Sequence, residues 1–260
     1  MTAANISDLI LQGAFELGFQ PKWTFGKNTC NTYEAYPETV LMPDGRRVSS
    51  LSMLEIIFGN DALTNLFSDW FLEEGIRTAA QMAQEVGAHL TVSMNLLPAY
   101  AAKNDFVDTV LYMLGKYKFP AKRLQFELSE VQDLSPEGAA NLNRLHDEYG
   151  VSLWLGNFGT GFSNVDLLLE VHFDGFELDR SYASLVPDHE QACRVVIALQ
   201  QLAQTLDLKV CAKGIETIEQ FEFMEQLGCF KGQGFMIGKP MGLRDMTAYL
   251  QQYAVRIGRE

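Results

Sequence analysis

Hydrophobic and polar positions divide the chain into two regimes. From residue 89 onward, short apolar runs alternate with longer stretches in which apolar residues recur every three or four positions. The runs read as buried strands and the stretches as amphipathic helices. Strands are expected over 89–94, 124–128, 151–155, 175–178, 208–212 and 232–236. Helices are expected over 105–117, 136–149, 164–170, 191–206, 218–227 and 244–253. Before residue 89 the pattern differs. Asn5 or Ser7 is expected to cap a first helix, which places Ile6, Leu9, Ile10 and Phe15 on one face and ends at Gly18. Runs over 19–25 and 32–42 flank a Gly26-Lys27-Asn28 turn and read as a hairpin. Pro43-Asp44-Gly45 makes the next turn. Helices follow over 52–58 and 62–86; the second sets Leu63, Leu66, Phe67, Trp70 and Phe71 at helical spacing, a core-packing face. Eight strands, six of them in βα repeats, predict an α/β fold. The expectation is one (β/α)8 TIM-like barrel spanning residues 1–260, with an irregular antiparallel hairpin at its first strands.

Composition narrows the function classes. The chain has 260 residues, 47% of them hydrophobic, enough for one large core. Its net charge of −13 repels phosphate backbones, which argues against a nucleic-acid partner. Cys30, Cys193, Cys211 and Cys229 are widely spaced and form no C-x-x-C, so they read as small buried hydrophobes in a reducing compartment. No apolar run is long enough for a membrane segment and no signal pattern opens the chain, so a soluble, cytoplasmic protein is expected.

In a barrel of this kind, chemistry is built from polar residues at the C-terminal ends of strands. Asn95, Glu127, Asn157, Glu177, Asp179, Lys213 and Glu216 fall at or near such ends, Glu34 lies on the second strand, Gln233 lies in Gly232-Gln233-Gly234-Phe235, and Glu130 follows Glu127 closely. A lone strand-end glutamate is ordinarily a cap or a surface group. Several converging on one rim indicate an actual or former site. At the centre of the series, the strand Val151-Ser152-Leu153-Trp154-Leu155 runs into Gly156-Asn157-Phe158-Gly159-Thr160-Gly161, with Ser163 placed to cap a helix.

This central stretch resembles the Asp-Asp-Phe-Gly-Thr-Gly segment of the EAL family, the bacterial cyclic-di-GMP phosphodiesterases. The resemblance extends over about residues 10–250. Gly18-Phe19-Gln20-Pro21 is similar to the family's opening strand, and Glu34-Ala35-Tyr36 to its name motif, with tyrosine for leucine. Asn95 and Glu127 match metal-ligand positions. Glu130 matches a glutamate that anchors the loop after the fifth strand, and Gly159-Thr160-Gly161-Phe162-Ser163 the start of that loop. Ala212-Lys213-Gly214-Ile215-Glu216-Thr217, Gln233-Gly234-Phe235 and Lys239-Pro240 match the closing signatures. The resemblance implies an EAL-type barrel. It implies a nucleotide site that includes Gln20, Glu34 and Gln233. It also implies pairing of two copies through residues 158–169, which offer Phe162, Val165, Leu167 and Leu168.

The departures from the family all fall on chemistry. Its paired aspartates, which hold divalent metals, are replaced by Gly156 and Asn157. Its phosphate-contacting arginine falls on Glu38. Its lysine is Glu177 here, and a metal-site glutamate is Lys213. Metal-assisted hydrolysis needs carboxylates around its cations. The expectation is therefore a degenerate member, catalytically inactive, with no required cofactor. It would act as a regulatory protein-interaction module in cyclic-di-GMP-linked signalling, binding the nucleotide weakly or not at all. The alternatives are a phosphodiesterase with a reduced ligand set, in which Glu34, Asn95 and Glu127 hold Mg, Mn or Ca weakly, and a sensor that binds the nucleotide without cutting it. Charge and spacing also predict that Lys213 points into the barrel mouth among Glu34, Glu127 and Glu177.

Overall fold

The computed structural model describes residues 2–128, 134–159 and 166–255. Helix α1 (Ala3–Leu11) is capped by the Thr2 hydroxyl, not by Asn5 or Ser7, and it stops well before Gly18. Gly13 turns the chain at φ +66°, and strand β1 (Phe15–Thr24) begins at once. Phe15 thus belongs to the sheet, opposite Val40, because strand pairing claims it before the helix can extend. Strand β2 (Thr29–Leu41) returns antiparallel to β1, as the hairpin pattern predicts. A short β3 (Arg47–Ser49), helix α2 (Leu51–Phe58) and the long α3 (Asp61–Val86) complete the irregular first part. Asn60 caps α3 through its side chain, and Gly87 ends it in the left-handed conformation that glycine adopts freely.

The regular part then alternates. It comprises β4 (Thr91–Leu96), α4 (Pro98–Ala101), α5 (Phe106–Tyr117), β5 (Leu124–Leu128), α6 (Pro136–Tyr149), β6 (Ser152–Phe158), α7 (Leu167–Glu170), β7 (Gly175–Leu178), α8 (Arg180–Ala183), α9 (Glu190–Thr205), β8 (Lys209–Lys213), α10 (Ile218–Gln226), β9 (Lys231–Gln233) and α11 (Leu243–Tyr253). The sheet order is β1-β9-β8-β7-β6-β5-β4-β2-β3, and the β1–β2 pairing closes it into an eight-stranded barrel with β3 appended. Strand β1 is antiparallel to both its neighbours; β2 and β4 through β9 pair in parallel around the rest of the ring.

Strands 124–128 and 175–178 and helix 136–149 lie where the periodicity places them. Strand β6 runs through Phe158, so Gly156 and Asn157 belong to the strand and not to a turn. Strand β9 ends at Gln233, three residues early. Residues 160–165, with the expected Ser163 cap, lie outside the described residues, as does Glu130. Of the expected pairing segment, Phe158 and Leu167 are buried, so they pack inward within this chain. Cys30, Cys211 and Cys229 are buried, whereas Cys193 is only half-buried. Among the described residues, no helix is long and apolar enough to cross a membrane.

All five residues of β5 are buried, as a strand covered on both faces requires. Phe126 meets Phe106 of α5 with ring centroids 6.1 Å apart, so it faces the helical layer. Alternation then sends Gln125 and Glu127 into the barrel. They join Lys22, Ser93 and Glu177, all at most 2% exposed, and the barrel interior is therefore ionic and not a stack of aliphatic layers.

Candidate functional site

Strand pairing sets the polar residues side by side. Gln20 lies opposite Glu34, Glu34 opposite Ser93, Asn95 opposite Glu127, and Lys213 opposite Gln233. Because β-strand side chains alternate, these residues point into the barrel at successive depths. The mouth above them is a cavity of about 320 Å³ lined by Gln20, Glu34, Asn157, Asp179, Arg180, Lys213, Glu216, Gln233 and Phe235.

Lys213 reaches three carboxylates at once. Its Nζ lies 2.6 Å from Glu177, 3.1 Å from Glu127 and 3.3 Å from Glu34. This is the placement that charge and spacing predict. Glu34 is held further: Asn95 Nδ2 donates to Oε1 at 2.9 Å, and Gln233 Nε2 donates to Oε2 at 2.9 Å and to Gln20 Oε1 at 3.1 Å. Gln20 Nε2 in turn donates to the Gly238 carbonyl at 3.1 Å. Glu34, Asn95, Glu127, Glu177, Lys213, Gln20 and Gln233 thus form one connected network.

A second ammonium lies beneath it. Lys22 is fully buried and pairs with Glu127 and, at 2.6 Å, with Glu177. It also donates to Ser93 Oγ at 3.2 Å, and Gln125 Nε2 donates to Ser93 Oγ at 3.0 Å and to Glu127 at 3.2 Å. Sequence reasoning missed Lys22. The signal was present: in a strand carrying Gln20 toward the mouth, the residue two positions on shares its face one step deeper.

Three carboxylates, Glu34, Glu127 and Glu177, face two ammonium groups. Burial alone would lower Lys22 and Lys213, but Glu127 and Glu177 outweigh it and hold both above the ordinary lysine value. Burial, then the neighbouring charge of Glu177, raises Glu127. Burial would raise Glu177 too, but Lys213 and Lys22 hold it below the usual carboxylate range. One strand away, Lys231 is buried against the Trp154 and Phe230 rings, 5.4 and 5.3 Å from their centroids, and burial pushes its amine down to about 8.

The remaining candidates sit at the rim. Gly156 packs its α-carbon where an added Cβ would stand 3.2 Å from the Leu128 carbonyl oxygen, so the bare backbone suits this position. Asn157 is exposed at φ +50°, a left-handed conformation that asparagine tolerates better than most residues, and the β6–β7 register slips between Leu155 and Phe158. Glu216 is exposed, with its backbone N–H on Gln220 Oε1 at 2.7 Å. Glu38 does not line the mouth; it lies with Tyr36 over Gly18 on β1.

Comparison with known proteins agrees with this architecture. The chain is 28% identical over 170 residues to the cyclic di-GMP phosphodiesterase RocR of Pseudomonas aeruginosa, covering 65% of this chain and 43% of RocR. It is 29% identical over 182 residues to the bifunctional diguanylate cyclase/cyclic di-GMP phosphodiesterase MucR of the same species, covering 69% of this chain and 26% of MucR. The chain thus spans about a quarter to under half of the length of these curated relatives. Among solved structures, an EAL domain protein from Listeria monocytogenes superposes with a TM-score of 0.80 at 21% identity, covering 95% of this chain and 97% of that one. The EAL domain of FimX from Pseudomonas aeruginosa, bound to c-di-GMP, superposes with a TM-score of 0.79 at 16% identity over 91% and 95% of the two chains. The EAL domain family itself matches residues 3–240, and the chain belongs to that family.

Proposed function

We propose that this chain is a catalytically silent EAL domain that acts in cyclic-di-GMP-linked signalling through contacts with a protein partner in the cytoplasm. One observation carries the reading: Lys213 Nζ lies within 3.3 Å of Glu34, Glu127 and Glu177 together. A divalent cation held by these carboxylates would have to enter a space that an ammonium already occupies. The donor set does not fit such a cation in other respects either. Gly156 offers no side chain, and Asn157 and Asn95 can offer only neutral amide oxygens. Hydroxide generation and neutralisation of phosphate charge, the two services of a metal in phosphodiester cleavage, have no donor set to rest on. Lys22 closes the floor of the same cluster by pairing with Glu127 and Glu177.

The barrel is then retained as a scaffold, and its internal charge pairing replaces metal binding as the source of local order. The whole protein's signalling role and its partner follow from this reading and not from the barrel's fold alone. The test is calorimetric titration of the purified chain with cyclic-di-GMP, with and without Mg²⁺, Mn²⁺ or Ca²⁺. The expected result is little or no heat, unchanged by the cation. Tight binding without a cation requirement would make the chain a sensor, and cation-dependent binding would restore the enzymatic alternative; either would overturn the reading.

A further inference from the structure

The opposite face of the barrel carries a second cluster. His146 sits in the last turn of α6, Asp147 follows it, and His172 and Asp174 lie in the link that enters β7. This is the face at the N-terminal ends of the parallel strands, away from the mouth. His146 Nδ1 lies 2.8 Å from Asp147 Oδ1, and His172 Nδ1 lies 3.1 Å from each Asp147 oxygen. The three groups can present one ligand atom each within 4.8 Å of one another. A metal with bonds of about 2.0–2.1 Å to nitrogen and oxygen holds its donors roughly 3–4 Å apart, so small side-chain movements bring these three groups onto one ion.

We propose that His146, His172 and Asp147 bind a divalent transition-metal ion of the zinc class. Two imidazoles and one carboxylate select such an ion over magnesium or calcium, which prefer oxygen donors alone. The support around the three groups is what distinguishes them from scattered surface residues. Asn143 ties the His172 segment to α6: its Oδ1 accepts the His172 backbone N–H at 2.9 Å, and its Nδ2 donates to the Glu170 carbonyl at 2.9 Å. Without an ion, His146 Nδ1 donates to Asp147, and an ion taking that lone pair would release the proton, with Asp174 Oδ1 3.6 Å from His146 Nε2 on the other side of the ring. Asp174 is itself fixed, its Oδ2 accepting from Ser152 Oγ at 2.7 Å and from the Leu153 backbone N–H at 3.0 Å. A bound ion would staple the end of α6 to the entry of β7, on either side of the strand that carries Gly156 and Asn157.

The test uses the untagged chain, stripped with chelator, titrated calorimetrically with zinc chloride and followed by thermal melting. One zinc per chain should bind, and zinc should raise the melting temperature, since a ligand that binds only the folded state stabilises it. Magnesium at the same concentration should do neither. His172→Ala and Asp147→Asn should each weaken zinc binding at least tenfold and abolish the thermal shift, while Cys193→Ser leaves both intact. No zinc binding by the wild-type chain, or binding unchanged in both His172→Ala and Asp147→Asn, would overturn the proposal.

Discussion

Lys213 and Glu177 stand 2.6 Å apart with their charges exchanged relative to the family pattern, lysine where it has glutamate and glutamate where it has lysine. The exchange keeps a pair while changing which side of the mouth is positive. Both lysines of the cluster are therefore structural, and their removal should be felt. Lys22→Met should destabilise the fold by about 3–5 kcal/mol, because it leaves two fully buried carboxylates with Lys213 as their one remaining cation. Lys213→Met should cost less, since Lys213 keeps 20% exposure and water can replace part of its field. The pH dependence has a definite sign. Glu177, held below 4.5 in the folded state, contributes stability that is present above that value and lost as pH falls through its folded pKa. The Lys213→Met variant has less of that contribution to lose, so the two unfolding curves should converge toward acid. Chemical denaturation at pH 7 and pH 4 checks this; a constant deficit would contradict it. Lys231 gives the opposite test. Its folded pKa of about 8 lies below the ordinary 10.5, so its contribution to stability should rise as pH climbs between those values. Lys231→Met should remove that slope in a melting series from pH 8 to 10.5, and a slope that persists would assign it to other groups. Glu127, Glu177 and Lys213 are legible in the sequence because each ends or nearly ends a strand, and Glu34 because it opens Glu34-Ala35-Tyr36. Lys22 is not, because a lysine in an opening strand reads as a solvated residue until closure of the barrel buries it.

At the scale of elements, β6 holds the sharpest contrast between reading and structure. Its apolar start was legible, but its glycine suggested a turn where a strand continues. The continuation depends on Gly156, whose missing side chain admits the Leu128 carbonyl. Gly156→Asp should therefore strain the β5–β6 contact and cost about 1–3 kcal/mol, the range for forcing atoms into a packed site. Asn157→Asp should be tolerated, since aspartate shares asparagine's ease in left-handed backbone. Together the two substitutions recreate the family's acidic pair, yet hydrolysis of cyclic-di-GMP should stay absent, because Lys213 still fills the ligand space. Denaturation curves and product chromatography on the double variant check both statements; recovered hydrolysis would mean that the aspartates alone were missing. Other elements escaped the sequence for simpler reasons. Helices α4 and α8 have four residues each and β3 has three, too few for any period to register. The first helix was drawn too long because Phe15 fits a helical face as well as a strand, and only its partner Val40 decides between them.

For the whole molecule, the barrel was legible because its order is repetitive: apolar run, amphipathic stretch, apolar run. Closure through an antiparallel β1 was legible too, as a hairpin before the repeats. What the repetition could not convey is the depth of each polar residue, and depth is what turns a rim of carboxylates into a buried ion-paired cluster. The EAL scaffold therefore supports two opposite outcomes, a cation site or an ion-paired plug, separated by a few side chains. Incubation of the purified chain with cyclic-di-GMP and Mg²⁺ or Mn²⁺, followed by chromatography of the nucleotide, decides between them most directly. The ion-paired barrel predicts that the cyclic dinucleotide is recovered intact at every cation concentration. Cation-dependent turnover that disappears in the Glu34→Ala variant would contradict it.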